Sequence, residues 1–229
     1  MTSIRTLAAH EVVRRAHPRP VTESDEVGMA AGKAIDTALS RFSHEFRGGL
    51  RPTAASMHRL GTEVLDEELA DADLQLGAQP RERILAQIAG VLQAFRRSEI
   101  FGLARPRSRM ILINETAGIY AQPDFWNGRD RFYEMKSYRA SLEAPEIHLQ
   151  LSLFSLAFPG VEGRLICFNR HSVPVETLVQ TVPPVGDPEK RSVLGLALGY
   201  ALEDGVPKVL EYIDSPLVRY SIPAPSSPS

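Results

Sequence analysis

The sequence predicts an α/β protein built around a mixed sheet. Three observations carry that expectation: helical periodicity over residues 28–100, a change to short β-type runs after Pro106, and a buried helical run between those strands and two further ones. With 229 residues, 43% hydrophobic and 24% charged, the chain is large enough to bury a substantial core. One compact domain with decorations is therefore expected.

The elements follow in order. From Gly28 to Phe46 the apolar positions Ala31, Ala34, Ile35, Ala38, Leu39, Phe42 and Phe46 recur at helical spacing, and Gly48-Gly49 ends the pattern. A second helix is expected over Thr53–Leu69. A third is expected over Pro80–Ser98, where Ile84, Leu85, Ile88, Val91, Leu92 and Phe95 form one stripe behind a proline-led start. Strands are expected over Met110–Asn114, Gly118–Trp126 and Arg131–Tyr138, with Asn127-Gly128 as the turn between the last two. Ile147–Phe158, behind Pro145, is apolar almost all round, as a buried helix would be. Strands over Gly163–Asn169 and Val173–Val182 come next. Asp187-Pro188 then supplies a cap and a first-turn proline for a helix ending near Asp204-Gly205, and Lys208–Ile213 adds a last strand.

This order gives an N-terminal arm over residues 1–25, with a short helix around Arg5–Arg15, and a single domain over 26–215. Within the domain, 28–100 is helical, 108–182 holds the sheet, and 187–213 supplies the closing helix and strand. Residues 216–229 form a Pro/Ser-rich tail.

Composition excludes several function classes. No run of about 18 apolar residues occurs, and the N-terminus lacks the pattern of a secretion signal, so no membrane association and a cytoplasmic location are expected. Cys167 is the only cysteine, which rules out an internal disulfide and a four-thiolate zinc or iron–sulfur site within one chain. Any metal would have to sit mainly on oxygen ligands. The formal charge of −2 does not describe a globally positive surface. Arg96, Arg97, Arg105, Arg107 and Arg109 nevertheless face only Glu99 in their stretch, which suits either phosphate contacts or a solvated loop face.

The chemistry concentrates in Asp124, Glu134 and Lys136. Side chains alternate along a strand, so Glu134 and Lys136 share one face while Tyr133 and Met135 take the other. A hairpin loop over Asn127–Arg131 would set Asp124 opposite Glu134, with Cβ atoms roughly 4.5–5.5 Å apart. Two carboxylates that close repel unless a cation sits between them. Mg²⁺ suits the place because it takes oxygen ligands from one or two carboxylates and keeps waters exchangeable for phosphate oxygens. Lys136 would then orient or deprotonate an attacking water, or neutralise charge on a phosphate. On spacing alone, the same pattern also fits a solvated, salt-bridged strand pair.

The segment Gly118-Ile-Tyr-Ala-Gln-Pro-Asp124 with Phe132-Tyr-Glu134-Met-Lys136 resembles the second and third motifs of the PD-(D/E)XK nucleases, particularly the RecB-like branch that includes CRISPR-associated exonucleases. The resemblance implies a restriction-endonuclease-like core, ordered αβββαβ around a mixed central sheet, with an extra helical N-terminal region. It implies metal ligation by Asp124 and Glu134 and a catalytic role for Lys136. A family glutamine followed three residues on by an aromatic is matched by Gln150-Leu-Ser-Leu-Phe154, with Phe where Tyr is usual. An upstream Gly-x-x-x-His motif is matched by Gly32-Lys-Ala-Ile-Asp36, so Asp36 stands in the position of a metal-binding histidine, with Glu45 as a fallback.

The expected function is thus Mg²⁺- or Mn²⁺-dependent hydrolysis of DNA, as an exonuclease in repair, recombination or defence. DNA is the expected partner, with a helicase or other nucleic-acid-processing subunit beside it. Tyr138 and Arg139, just past the catalytic strand, and Arg107 and Arg109 are candidate substrate contacts. A non-cleaving nucleic-acid-binding or scaffold subunit is the alternative, and RNA or nucleotide hydrolysis stays open. Gln150 has a structural alternative too, as a buried amide satisfied by strand backbone. His148 and His171 are expected to be structural or surface residues, and Trp126 to pack under the hairpin.

Overall fold

The computed structural model describes residues 2–3, 22–46, 52–102, 105–106, 111–114, 119–142, 147, 150–151, 154–155, 158 and 160–182. Three helices lead: α1 (Glu23–Glu45), α2 (Ala54–Asp71) and α3 (Ala78–Arg96). The start of α1 is set by Thr22, whose hydroxyl accepts from the Asp25 N–H while the Asp25 carboxylate accepts from the Thr22 N–H. The helix therefore begins five residues before Gly28 and inside the stretch expected to be an arm, because the capping box satisfies its first-turn donors. Thr53 and Ser56 cap α2 in the same way.

The strands are β1 (Thr2–Ser3), β2 (Arg105–Pro106), β3 (Ile111–Asn114), β4 (Ile119–Ala121), β5 (Phe125–Trp126), β6 (Arg131–Lys136), β7 (Glu162–Asn169) and β8 (Glu176–Val182). They form a three-stranded sheet ordered β1-β4-β3 and a five-stranded sheet ordered β2-β5-β6-β7-β8. Within the latter, β6 and β7 are parallel and the other neighbours antiparallel, so the expected mixed α/β architecture is present. Two expectations change. The run from Gly118 to Trp126 is not one strand: it breaks at Gln122-Pro123-Asp124, where proline removes a ladder donor, and its halves join different sheets. Thr2–Ser3, expected in a free arm, pairs in parallel with β4. The short helix near Arg5–Arg15, the closing helix and strand over 187–213 and the tail lie outside the described residues.

Between β6 and β7, Ile147, Gln150, Leu151, Phe154 and Ser155 are helical, and we refer to this element as α4. A strand, a helix and a parallel strand form a crossover unit. The two faces of β6 have different company. Tyr133 and Met135, with Phe125, Ile166 and Phe168, join the core made by α1, α2 and α3. Phe132 turns the other way onto Phe154 and Phe158 of the crossover, at ring-centroid distances of 5.5 and 5.8 Å. Trp126 meets Phe158 at 5.8 Å, packing under the hairpin as expected. Among the described residues no helix is long and apolar enough to cross a membrane.

The β5–β6 hairpin is fixed by Asn127. Its side-chain oxygen accepts from the N–H groups of Arg129, Asp130 and Arg131 at 2.9, 3.1 and 3.0 Å, and Gly128 supplies the positive φ of 86°. At the other side of β6, Gly163 lies against the Phe132 ring so closely that an added Cβ would overlap it. Gly163→Ala is therefore expected to destabilise the protein by about 1–3 kcal/mol in urea unfolding. Wild-type stability in that variant would mean that the ring yields freely and the β6–β7 packing is looser than described.

Candidate functional site

The hairpin register pairs Phe125 with Tyr133 and Trp126 with Phe132. Asp124 immediately precedes Phe125 at the bend, and Glu134 immediately follows Tyr133 on the face of β6 that also carries Lys136. Glu134 has no solvent exposure. Its Oε1 accepts from Lys136 Nζ at 3.0 Å and from Gln150 Nε2 at 2.8 Å, while Gln150 Oε1 accepts from Lys136 Nζ at 3.2 Å. The three side chains close a triangle. Gln150 is therefore satisfied by the two charged side chains of β6 rather than by strand backbone. Asp124 is buried at the bend before β5, and its Oδ2 accepts from the Met135 N–H at 2.9 Å.

Asp124, Glu134 and Lys136 open onto one cavity of about 620 Å³. Asp36 lines it from α1, Asp124, Glu134 and Lys136 from the sheet, and Tyr138 from the loop after β6. Five residues singled out in the sequence thus line a single cavity. Among the described residues, however, no three His, Cys, Asp or Glu side chains lie close enough together to form a metal cage. Asp36 lies instead in the field of Arg170. The donor set still suits a hard cation of the Mg²⁺ type, which is usually held by one or two carboxylates and completed by water and phosphate oxygens. Asp124 and Glu134 are the two carboxylates that the β5–β6 hairpin brings to the cavity.

Other candidates fall elsewhere. Arg139 is exposed but does not line the cavity, and Glu45 is an exposed residue at the end of α1, also off the cavity. His171 sits exposed in the turn after β7, as expected for a surface residue. Arg107, Arg109 and His148 lie outside the described residues.

Arg170 was missed by sequence reasoning. It lines the cavity at the end of β7, where Nη2 donates to the Gly28 carbonyl at 3.3 Å and Nη1 to Ser137 Oγ at 3.5 Å. Burial lowers its pKa, an effect opposed by the nearby Asp36 carboxylate. A signal for it was present: a strand, a helix and a strand predict a parallel pair, and parallel strands end on the same edge. With Lys136 opposite Cys167, the chain just past β7 must meet the chain just past β6, and the Arg170 N–H indeed donates to the Ser137 carbonyl at 3.3 Å.

Gln150→Leu removes one hydrogen bond from a buried carboxylate and another from the lysine that balances it. The expected loss of stability is about 1–3 kcal/mol, measured by denaturant unfolding. An unchanged unfolding midpoint would show that Glu134 and Lys136 do not depend on the glutamine.

Comparison of this chain with protein-family models, with curated proteins and with solved structures gives no match.

Proposed function

We propose that the chain is a Mg²⁺- or Mn²⁺-dependent nuclease that hydrolyses phosphodiester bonds in DNA, on a restriction-endonuclease-like core. One observation carries the reading: Glu134 and Lys136, two apart on β6, open together with Asp124 onto one cavity, and Gln150 braces the pair from the crossover helix. The strand order supports the core, since an antiparallel β5–β6 hairpin is followed by α4 and a parallel β7.

Each side chain has a task in this scheme. Asp124 and Glu134 would hold the cation. When bound, it supplies positive charge to the phosphate oxygens and acidifies an attacking water. Lys136 presents its ammonium from a side chain only 15% exposed, so its charge acts on a phosphate in a poorly screened place. Gln150 is a positioning residue, fixing Nζ through its amide oxygen. Tyr138, 41% exposed at the mouth, offers a ring on which a base can stack.

Purified protein is expected to degrade labelled linear DNA with Mg²⁺ and to stop on addition of a chelator. Asp124→Ala, Glu134→Ala and Lys136→Ala should each lower the rate by about 10²-fold or more, with secondary structure checked by circular dichroism. Full cleavage by folded Glu134→Ala and Lys136→Ala proteins would remove these residues from the mechanism.

A second reading, a non-cleaving nucleic-acid-binding or scaffold subunit, is favoured by the engagement of Glu134 Oε1 with both Lys136 and Gln150. Calorimetric titration with Mg²⁺ separates the two. The nuclease reading predicts binding heat that Asp124→Ala removes, and the scaffold reading predicts none.

A further inference from the structure

A second concavity, of about 740 Å³, lies between α3 and the turn joining β7 to β8. Its wall on α3 is one helical stripe of residues four and three apart, Arg83, Gln87, Gly90, Ala94 and Arg97, with arginine at both ends and small or amide side chains between. The two arginines are about 21 Å apart along the helix axis at 1.5 Å per residue. At the centre of the stripe, an added Cβ on Gly90 would stand 2.9 Å from the Val175 side chain, so glycine lets the turn sit tightly on the helix.

Charge separates this groove from its neighbour. The lining includes Arg83, Arg97 and Arg170 and no carboxylate, whereas the neighbouring cavity presents Asp25, Asp36, Asp124 and Glu134. Arg170 belongs to both and stands at their junction. Arg41, Arg59, Arg81, Arg131 and Arg164 each form an ion pair, but Arg83 and Arg97 form none among the described residues. Guanidinium groups such as Arg83 and Arg97, set along one stripe without an ion pair, match a ligand carrying regularly spaced anions. The cavity has the volume of a small-molecule site, room for roughly one or two nucleotides and too little for a duplex.

We propose that this groove holds the phosphate backbone of a single nucleic-acid strand and that Arg170 passes the strand into the cavity bearing Asp124, Glu134 and Lys136. The proposal rests on the nuclease reading for the direction of that path. The groove supplies electrostatic affinity without base recognition, and the carboxylate-lined cavity supplies the chemistry. With the two side by side, the carboxylates Asp36, Asp124 and Glu134 would repel a phosphate chain unless a bound cation offset their charge.

The test is fluorescence anisotropy with a labelled oligothymidylate of about 20 nucleotides, in a chelator so that nothing is cut. Arg83→Glu/Arg97→Glu is expected to weaken binding at least tenfold and to flatten the slope of log affinity against log salt by about 0.7 for each phosphate no longer neutralised. Arg83→Gln/Arg97→Gln should shift both in the same direction by less. Arg129→Glu, an exposed change in the hairpin at the far end of β6, serves as the control for general charge. Wild-type affinity in both double variants, an equal loss in Arg129→Glu, or no binding by the wild-type protein would each overturn the groove. Binding by the wild-type protein that depends on Arg83 and Arg97, but without cleavage once Mg²⁺ is supplied, supports the groove and overturns the nuclease reading alone.

Discussion

The ion pair between Glu134 and Lys136 is the interaction on which the rest of the site depends. A carboxylate with no exposure is tolerable only where charge and hydrogen bonds compensate it, and removing one partner of such a buried pair typically costs about 3–5 kcal/mol. The strand itself supplies the first partner, because residues two apart share a face. The second, Gln150, comes from the crossover helix and can reach only because Phe132, Phe154 and Phe158 pin that helix under β6. An apolar contact on one part of the face thus sets the geometry of a polar triangle on the next.

The same arrangement explains why the cavity lies where it does. Parallel pairing of β6 and β7 brings their carboxyl ends to one edge, where Ser137 and Arg170 meet. The antiparallel hairpin, fixed by Asn127, returns Asp124 to the same region. α1 completes the wall, with Gly28 supplying a carbonyl to Arg170 and Asp36 a carboxylate within its field. The hairpin, the chain just past β7 and the first helix each contribute charge to this one cavity.

Much of this was legible in the sequence. The stripes on α1 and α3 placed those helices to within a few residues, since burying one face of a helix demands that spacing. Alternation placed Glu134 with Lys136, and Asn127-Gly128 announced the turn of the hairpin that brings Asp124 to the same cavity. What failed to show was in part local chemistry that periodicity does not register, and in part tertiary. Pro123 splits an apparently continuous strand between two sheets, and the Thr22 capping box extends α1 into residues that looked like an arm. Arg170 is far from Lys136 in sequence and becomes its neighbour only through the parallel register. Arg139, close to β6 in sequence, does not line the cavity, because closeness along the chain past a strand end says little about direction.

The proposed reaction requires Asp124 and Glu134 to share one divalent cation. Anomalous scattering from crystals grown with Mn²⁺ locates such an ion. A single strong peak is expected in the cavity, with an oxygen of Asp124 and an oxygen of Glu134 each within about 2.0–2.3 Å of it. A cavity without a peak, or a peak that leaves Glu134 bonded only to Lys136 and Gln150, would contradict the proposed reaction.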